Sequence, residues 1–538
     1  MIGDYSGPYS VVYDRPETDW TLDRLAFMTD IDEETELHVK GNAEVTWKTD
    51  NKTVATVDKN GVVKAIRKGD AKITATAADG SSSNCIVSVG YEGQNPCLPP
   101  TWGLLIADPE PLEFDGVLYV YGSRDNPNGI NTEGVTQWCS DTYYAICTED
   151  LIHWTVKGIS FRLTDIPEKD RGNAVALWAP DLYHSVKDGK YYLTGCTNDP
   201  GSGIFVAVSD IPEGPFKYVG RITQNSNKAL ITQIDPGALV DDDGSVYIVT
   251  PGFYVGLLDE DTLNVQPYKS VSRYMSKDYF AFEGPSLRKK GDLYYYIYIQ
   301  DITKTQSSIP TRMAYMTSTD PLGPYTYQGL IITNYDYLNS GNIHGSFVEF
   351  KGQTYVFYHM SYCGLRLTRS LHITPITFLD DGTIQEALPT SSGAKGSFKK
   401  GEVIQAASAI VYSGGRDDIR ITPRYDEDKD NKNIWRFTDY PYVYFNEADQ
   451  SLGYRYVDGT DVSKITIKVQ TQGSDAKLSC KMGDTVVAEL TLPDTKGEWQ
   501  TVTADLSGSG SSQEEFTLSL DKMPDKGKQV NVDSFWFD

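Results

Sequence analysis

The sequence predicts an all-β protein in which a five-bladed β-propeller sits between two β-sandwiches. Three observations carry that expectation. In the middle of the chain one short phrase recurs five times, a polar residue followed eight or nine positions later by a glycine turn: Asp108 to Gly116, Asp181 to Gly189, Asp235 to Gly244, Glu283 to Gly291 and His344 to Gly352. Upstream, four short alternating segments lie between turn signals, and downstream the phrase stops and evenly alternating strands follow.

The five turn glycines lie 73, 55, 47 and 61 residues apart, about the length of a four-stranded blade with its loops. After each turn come aromatic and β-branched residues at close spacing, as in FDGVLYVYG and KGDLYYYIY. This pattern is that of tight hairpins whose glycine takes a positive φ. Each blade then opens by bringing its polar residue to the central axis, which gathers the carboxylates of Asp108, Asp235 and Glu283 at one focus.

At 538 residues the chain exceeds one core, and about three domains are expected: 1–90, 91–400 and 401–538. The 36 tyrosines and 9 tryptophans suit β packing and stacking on sugars. A net charge of −25 argues against nucleic acid or an anionic bilayer as partner, since both are held by clustered Lys and Arg; a neutral ligand is favoured. No apolar run approaches the roughly 20 residues of a membrane helix, and MIGDYSGPYS lacks the layout of a signal peptide. An exported protein would have lost its signal from this sequence. Seven scattered cysteines without CxxC spacing indicate neither a zinc site nor a disulfide framework.

In residues 36–89, W-x-T-x-x-x-x-V-A-T-V-D-x-x-G-x-V and G-x-A-x-I-T-A-T-A resemble the bacterial immunoglobulin-like domain, group 2. That resemblance implies an Ig-like sandwich, usually a spacer, over residues 1–90. The first 20 residues fit neither neighbour. The tail carries KITIKVQT, AKLSCKM, TVVAELTL and, at the end, VNVDSFWFD, as expected of a second, jelly-roll-type sandwich. Its order Gly497, Trp499, Thr501, then FTLSL, then NVDSFWF resembles family 6 carbohydrate-binding modules. Trp499, with Tyr440 or Tyr442 as a second wall, is the candidate sugar platform, the alternative being a tryptophan packed between strands.

The phrases I-A-D-P, W-A-P-D, I-D-P, F-E-G-P-S-L and H-G-S-F, in that order and each ahead of its hairpin, resemble glycoside hydrolase family 43 over about residues 91–395. The resemblance implies a five-bladed propeller that cleaves arabinose, xylose or, more rarely, galactose units from plant polysaccharides with inversion at the anomeric carbon. Inversion needs one carboxylate to activate water and one carboxylic acid to protonate the leaving oxygen, about 6.5–9.5 Å apart. By motif, Asp108 is then the general base and Glu283 the general acid. Asp235 falls at the family's third carboxylate, whose charge raises the acid's pKa and orients it.

Asp181 follows its proline, whereas Asp108 and Asp235 precede theirs. A one-residue offset sends a strand side chain to the other face, so Asp181 is expected to be structural and Trp178 to wall the sugar pocket. Trp102 and Phe253 are further aromatic candidates, with plain packing as the alternative. Arg369 matches the family's arginine before its last strand; its fork suits two sugar hydroxyls or, alternatively, an axial carboxylate. His344 stands where the family places an axial histidine that contacts a bound ion, often calcium, through water. A hydrogen-bonded core histidine is the other reading, and the chemistry itself requires no cofactor. The insert DNPNGINTEGVTQWCSDTYYAI and the cluster SRYMSKDYFAFEG are expected to wall the pocket and favour end-on attack.

Taken together, the sequence points to a secreted, periplasmic or cell-surface exo-glycosidase acting on arabinose- or xylose-containing polysaccharide. An α-L-arabinofuranosidase comes first and a β-xylosidase second; a non-catalytic carbohydrate-binding surface protein is the alternative of a different class.

Overall fold

The computed structural model describes residues 19–125, 141–226, 228–270, 283–301, 311–333, 343–361, 369–413, 441–508, 510–524 and 529–538, together with the strand backbones at 4–5, 420–427 and 434–440. In the middle of the chain, five runs of four consecutive antiparallel strands follow one another, each run in its own sheet. Their inner strands are Ile106–Phe114, Leu177–His184, Gly237–Val240, Ser286–Lys290 and Gly345–Phe350. They define blades 1 to 5. Each recurrent glycine has a positive φ, between 58° at Gly291 and 84° at Gly244. At Asp115–Gly116 and Lys351–Gly352 both turn residues are left-handed, as a two-residue hairpin of the type I′ form requires.

Five apolar clusters glue the ring. One spans blades 1 and 2 around Tyr121, Tyr143 and Phe205, and the next joins blades 2 and 3 around Val206, Ile248 and Val265. Another joins blades 3 and 4 around Val249, Tyr296 and Tyr298, and a fourth joins blades 4 and 5 around Tyr295, Tyr315 and Tyr358. The tyrosine excess of the sequence is spent here, because a phenol fills the wedge between splayed sheets and still finds an acceptor. Tyr121 donates to the Pro212 carbonyl at 2.7 Å, Tyr295 to Gly382 at 2.7 Å and Tyr296 to Thr250 at 2.9 Å.

The fifth cluster joins blades 5 and 1 and also takes in Ala26, Met28 and Ile86 of the N-terminal sandwich. The reason is a shared strand. Ala26–Thr29 pairs in parallel with Ser82–Val89 of the Ig-like unit and antiparallel with Thr155 and Val156 on the outer strand of blade 1. The two domains thus form one eight-stranded sheet, so the Ig-like unit is a continuation of the blade rather than the spacer expected from its type. At the other end Asp4–Tyr5 pairs with Ile434 and Trp435 of the C-terminal sandwich, which removes these first residues from the Ig-like unit to which the 1–90 boundary assigned them.

The C-terminal unit is a sandwich of two sheets closed over Tyr454, Phe516, Phe535 and Phe537. It is bolted to its neighbours through the linker. Asn95 donates from Nδ2 to the carbonyls of Ile373 and Thr390 at 2.8 and 2.7 Å, and Glu92 accepts from the Val403 amide at 2.8 Å. No helix among the described residues is long and apolar enough to cross a membrane. Cys85, Cys97, Cys147, Cys196 and Cys480 are buried free thiols; Cys139 and Cys363 lie outside the described residues.

Candidate active site

The inner strands start at the axis with an irregular step. In blade 1 the ladder slips between Ala107 and Glu110, and Asp108 takes φ +51°. In blade 2 it slips between Trp178 and Asp181, and Ala179 takes φ +29°; Asp235 in blade 3 has φ +47°. Each of these residues precedes a proline, a position normally extended, and a non-glycine residue held at positive φ costs of order 1–3 kcal/mol. The bulge turns the side chain inward.

This geometry corrects the reading of Asp181. Ala179 occupies in blade 2 the place of Asp108 in blade 1, and Asp181 the place of Glu110. The offset is therefore two residues, and Asp181 stays on the axial side, one layer deeper, instead of turning to the other face. It is fully buried, accepts from the amides of Leu182 and Ala238 at 2.7 and 2.8 Å, and faces Arg288 at 3.6 Å. Burial raises both Asp181 and Glu110 above the ordinary carboxylate range, against the pull of Arg288.

Asp108 is held on three sides. Oδ1 accepts from Arg369 Nη1 at 2.9 Å and faces His344 Nδ1 at 3.3 Å, while Oδ2 accepts from the Ser123 hydroxyl at 2.6 Å. Its own amide donates to His359 Nδ1 at 3.0 Å. Burial alone would push this carboxyl up; the Arg369 guanidinium, with His344, overrides it and holds the group far below the usual range. Asp108 is thus an anion at any working pH. A carboxylate has about four acceptor directions; three are taken, and the fourth, on Oδ2, suits the proton of a water.

Arg369 is itself clamped. Its Nε and Nη2 form a fork on Asp125 at 3.0 and 2.9 Å, and its amide donates to the same carboxylate at 2.9 Å. Of the two roles open to Arg369 in the sequence, pairing with axial carboxylates is what the geometry displays. Ser123, Asp125 and His359 were not foreseen. Their one sequence signal is position: Ser123 and Asp125 lie at and just past the end of the strand after the first turn in YGSRD, and His359 lies near the end of the one after the last in YVFYH. His359 is buried and neutral, because burial and the nearby Arg369 disfavour its charge.

Asp235 grips the peptide that carries Glu283. Its Oδ2 accepts from the amide of Gly284, the next residue, at 3.2 Å, and its own amide donates to Cys196 Sγ at 3.2 Å. Burial, with repulsion from Asp108, pushes Asp235 up to about 6. Gly284 is needed at φ +62°: a Cβ there would sit 2.9 Å from the His344 ring. Glu283 itself is half-buried, and its carbonyl accepts from Ile299 at 3.0 Å.

His344 lies between carboxylates, with Nδ1 on Asp108 and Nε2 4.0 Å from Glu110. Burial opposes its charge, but the hydrogen bond to Asp108 and the surrounding anions prevail and push it up to about 9. Both ring nitrogens already face carboxylates. Calcium takes six to eight oxygens, whereas Glu110 and Asp181 beneath His344 are engaged by Arg288. No group of three or more His, Cys, Asp or Glu among the described residues is arranged to hold a metal. The described residues do not fit the axial calcium that the motif at His344 implied.

Two aromatic expectations are overturned. Trp102 is fully buried in the cluster that joins blades 5 and 1 to the Ig-like unit, donating from Nε1 to Ser88 Oγ at 2.8 Å. Phe253 packs edge-on to Tyr298 at 5.0 Å between blades 3 and 4. Trp178 is half-buried beside the axis, with its carbonyl accepting from Tyr143 at 2.7 Å. In the C-terminal unit Trp499 is half-buried and meets Tyr442 edge to face at 5.5 Å, with Lys468 Nζ 5.8 Å from its ring centre. The side chain of Tyr440, most of the insert at 126–147 and nearly all of the 272–284 cluster lie outside the described residues.

A carboxylate kept ionised at a propeller axis, beside a half-buried glutamate whose following peptide is held by a third carboxylate, is the equipment of a glycoside hydrolase. The chain belongs to glycosyl hydrolases family 43, whose family model matches residues 108–384, and the bacterial Ig-like domain (group 2) model matches 29–87. It is 32% identical to a xylosidase/arabinosidase of Thermoclostridium stercorarium over 56% of this chain and 67% of that one. With an arabinoxylan arabinofuranohydrolase of Paenibacillus polymyxa it shares 28% over 53% and 51%, and with a beta-xylosidase of Xylanibacter ruminicola 30% over 47% and 87%. The match thus spans about half of the Paenibacillus protein's own length. Among solved structures, a family 43 arabinoxylan arabinofuranohydrolase of Bacillus subtilis in complex with cellotetraose matches with a TM-score of 0.44 at 23% identity, covering 80% of this chain and 95% of that one.

Proposed function

We propose that this protein is an inverting exo-glycosidase that removes terminal pentose units from the side chains of plant hemicellulose or pectin outside the cell, as an α-L-arabinofuranosidase. The carrying observation is the division of labour among three carboxylates: Asp108 fixed as an anion by Arg369, and Asp235 fastened to the peptide of Glu283. In this reading Asp108 takes a proton from water as that water attacks the anomeric carbon, and Glu283 gives one to the departing oxygen. Relatives whose names include both arabinofuranohydrolase and xylosidase make β-xylosidase activity the second reading. Side-by-side hydrolysis of p-nitrophenyl α-L-arabinofuranoside and β-D-xylopyranoside separates them: arabinoside turnover is expected to dominate, xyloside preference promotes the alternative, and inertness toward both and toward arabinan and arabinoxylan removes the proposal.

The third carboxylate yields a pH prediction. Asp235, pushed up to about 6, is ionised above that pH and disfavours ionisation of a neighbouring acid. A general acid works while protonated, so activity falls as pH rises through its pKa. Asp235→Asn removes the negative charge and lets Glu283 lose its proton sooner. The alkaline limb of kcat/KM should move down by about one pH unit, the effect of one charge at short range. A limb that stays in place or moves up contradicts the assignment.

A further inference from the structure

Below the three carboxylates lies a second axial layer assembled from blades that are not neighbours. Arg288, on the inner strand of blade 4, reaches across to blades 1 and 2. Its Nη2 is bonded to Glu110 Oε2, and its Nη1 lies 3.6 Å from Asp181 Oδ2 while donating to the carbonyls of Leu287 and Ala238 at 2.9 and 3.4 Å. The Ser286 hydroxyl sits 3.0 Å from Glu110 Oε2 and 2.9 Å from Ser346 Oγ of blade 5. All five blades therefore meet around one guanidinium, and every one of these side chains is buried. Buried ion pairs are poor stabilisers in general, since desolvation offsets the attraction. What sets this one apart is its place: Glu110 Oε1 is 4.0 Å from His344 Nε2, and His344 Nδ1 is 3.3 Å from Asp108 Oδ1.

We propose that Arg288 is the built-in cation of this propeller axis, a tethered positive charge that occupies the oxygens a divalent ion would need and positions the base through Glu110 and His344, so that hydrolysis by this chain requires no metal. The inference rests on the glycosidase reading above. A guanidinium and a hard cation compete for the same carboxylate oxygens, and the covalently attached one is always present. Arg288 does not touch substrate. Its removal leaves Glu110 and Asp181, already raised by burial, without their counter-charge; they take up protons, and His344 Nε2 then faces a neutral Glu110 in place of the anion that helps to hold it charged on Asp108.

The wild-type enzyme is assayed on its aryl pentoside after chelation with EDTA and again with added calcium, beside Arg288→Ala, Arg288→Lys and Arg288→Gln. Wild-type kcat/KM and Tm should be the same in both media. Arg288→Ala should lose on the order of 10–100-fold in kcat, the effect of one charge several ångströms away in a poorly screened interior, with KM nearly unchanged. Added guanidinium or calcium should restore part of that loss; recovery of kcat by calcium, which has neither the shape nor the hydrogen bonds of a guanidinium, is what a merely structural arginine would not predict. Should Arg288→Ala fail to fold, the other pair decides: Lys keeps the charge and most of the activity, Gln keeps much of the volume and loses it. Loss of wild-type activity on chelation, a folded Arg288→Ala with full kcat or with no response to any added cation, or equal activities of the Lys and Gln variants overturns the inference. A wild type inert on every pentoside sinks the glycosidase reading instead.

Discussion

Asp108→Asn should lower kcat by on the order of 10²–10⁴-fold, the usual contribution of a positioned acid or base, and by the same factor on an activated aryl glycoside as on a natural oligosaccharide. The attacking water must give up its proton whatever group departs. The substitution leaves the surroundings nearly intact, since an amide oxygen still accepts from Arg369 Nη1, which donates to Asp108 at 2.9 Å. What disappears is the anion. The backbone supplies a second test: Asp108 sits at φ +51°, a conformation glycine adopts without strain, so Asp108→Gly should fold and leave a gap beside the anomeric carbon. Azide in that gap is an anion that needs no deprotonation and should restore part of the turnover, giving a glycosyl azide of inverted configuration relative to the substrate. A natural substrate spared by Asp108→Asn, or no azide product from a folded Asp108→Gly, assigns the base elsewhere.

Glu283→Gln should behave in the opposite manner, with an effect that depends on the leaving group. A poor leaving group needs a proton as its bond breaks; 2,4-dinitrophenolate leaves without one. The variant should therefore lose on the order of 10²–10⁴-fold on a natural oligosaccharide and far less on the dinitrophenyl glycoside, measured by kcat/KM on the two substrates side by side. Glu283 is half-buried where Asp108 and Asp235 are buried, and the peptide that follows it is held by Asp235 through the Gly284 amide. Equal losses on both substrates would remove the acid assignment while leaving the family untouched.

The two predictions use residues that were legible in the sequence, and the variants that support them were not. The propeller could be read because a local rule repeats: each blade needs a left-handed turn residue, only glycine adopts it freely, and Gly116, Gly189, Gly244, Gly291 and Gly352 all have positive φ. Asp108, Asp235 and Glu283 were legible because each stands eight or nine positions before such a turn. Asp181 was misread because a strand's period of two was applied across a bulge, where the extra residue resets the alternation. Trp102 and Phe253 were misassigned because an aromatic near an axial residue in sequence can point into an inter-blade wedge as readily as into the pocket, and period alone does not choose between them.

The sequence by itself determined the blade count, the order of the polar residues around the axis and the three carboxylates, since these follow from short-range turn chemistry and alternation. Tertiary structure alone decided the partners. Arg369 finds Asp125 and Asp108 across 244 and 261 residues, and Arg288 finds Glu110 across 178, because closing a ring brings blade 5 beside blade 1 and gathers the inner strands of all five blades around one axis. The same holds for the Ig-like unit. Nothing in the pattern around Ala26–Thr29 distinguishes a strand that ends a sandwich from one that also extends blade 1, because an edge strand's unpaired amides and carbonyls can bond any second edge, and only the folded ring places that edge within reach.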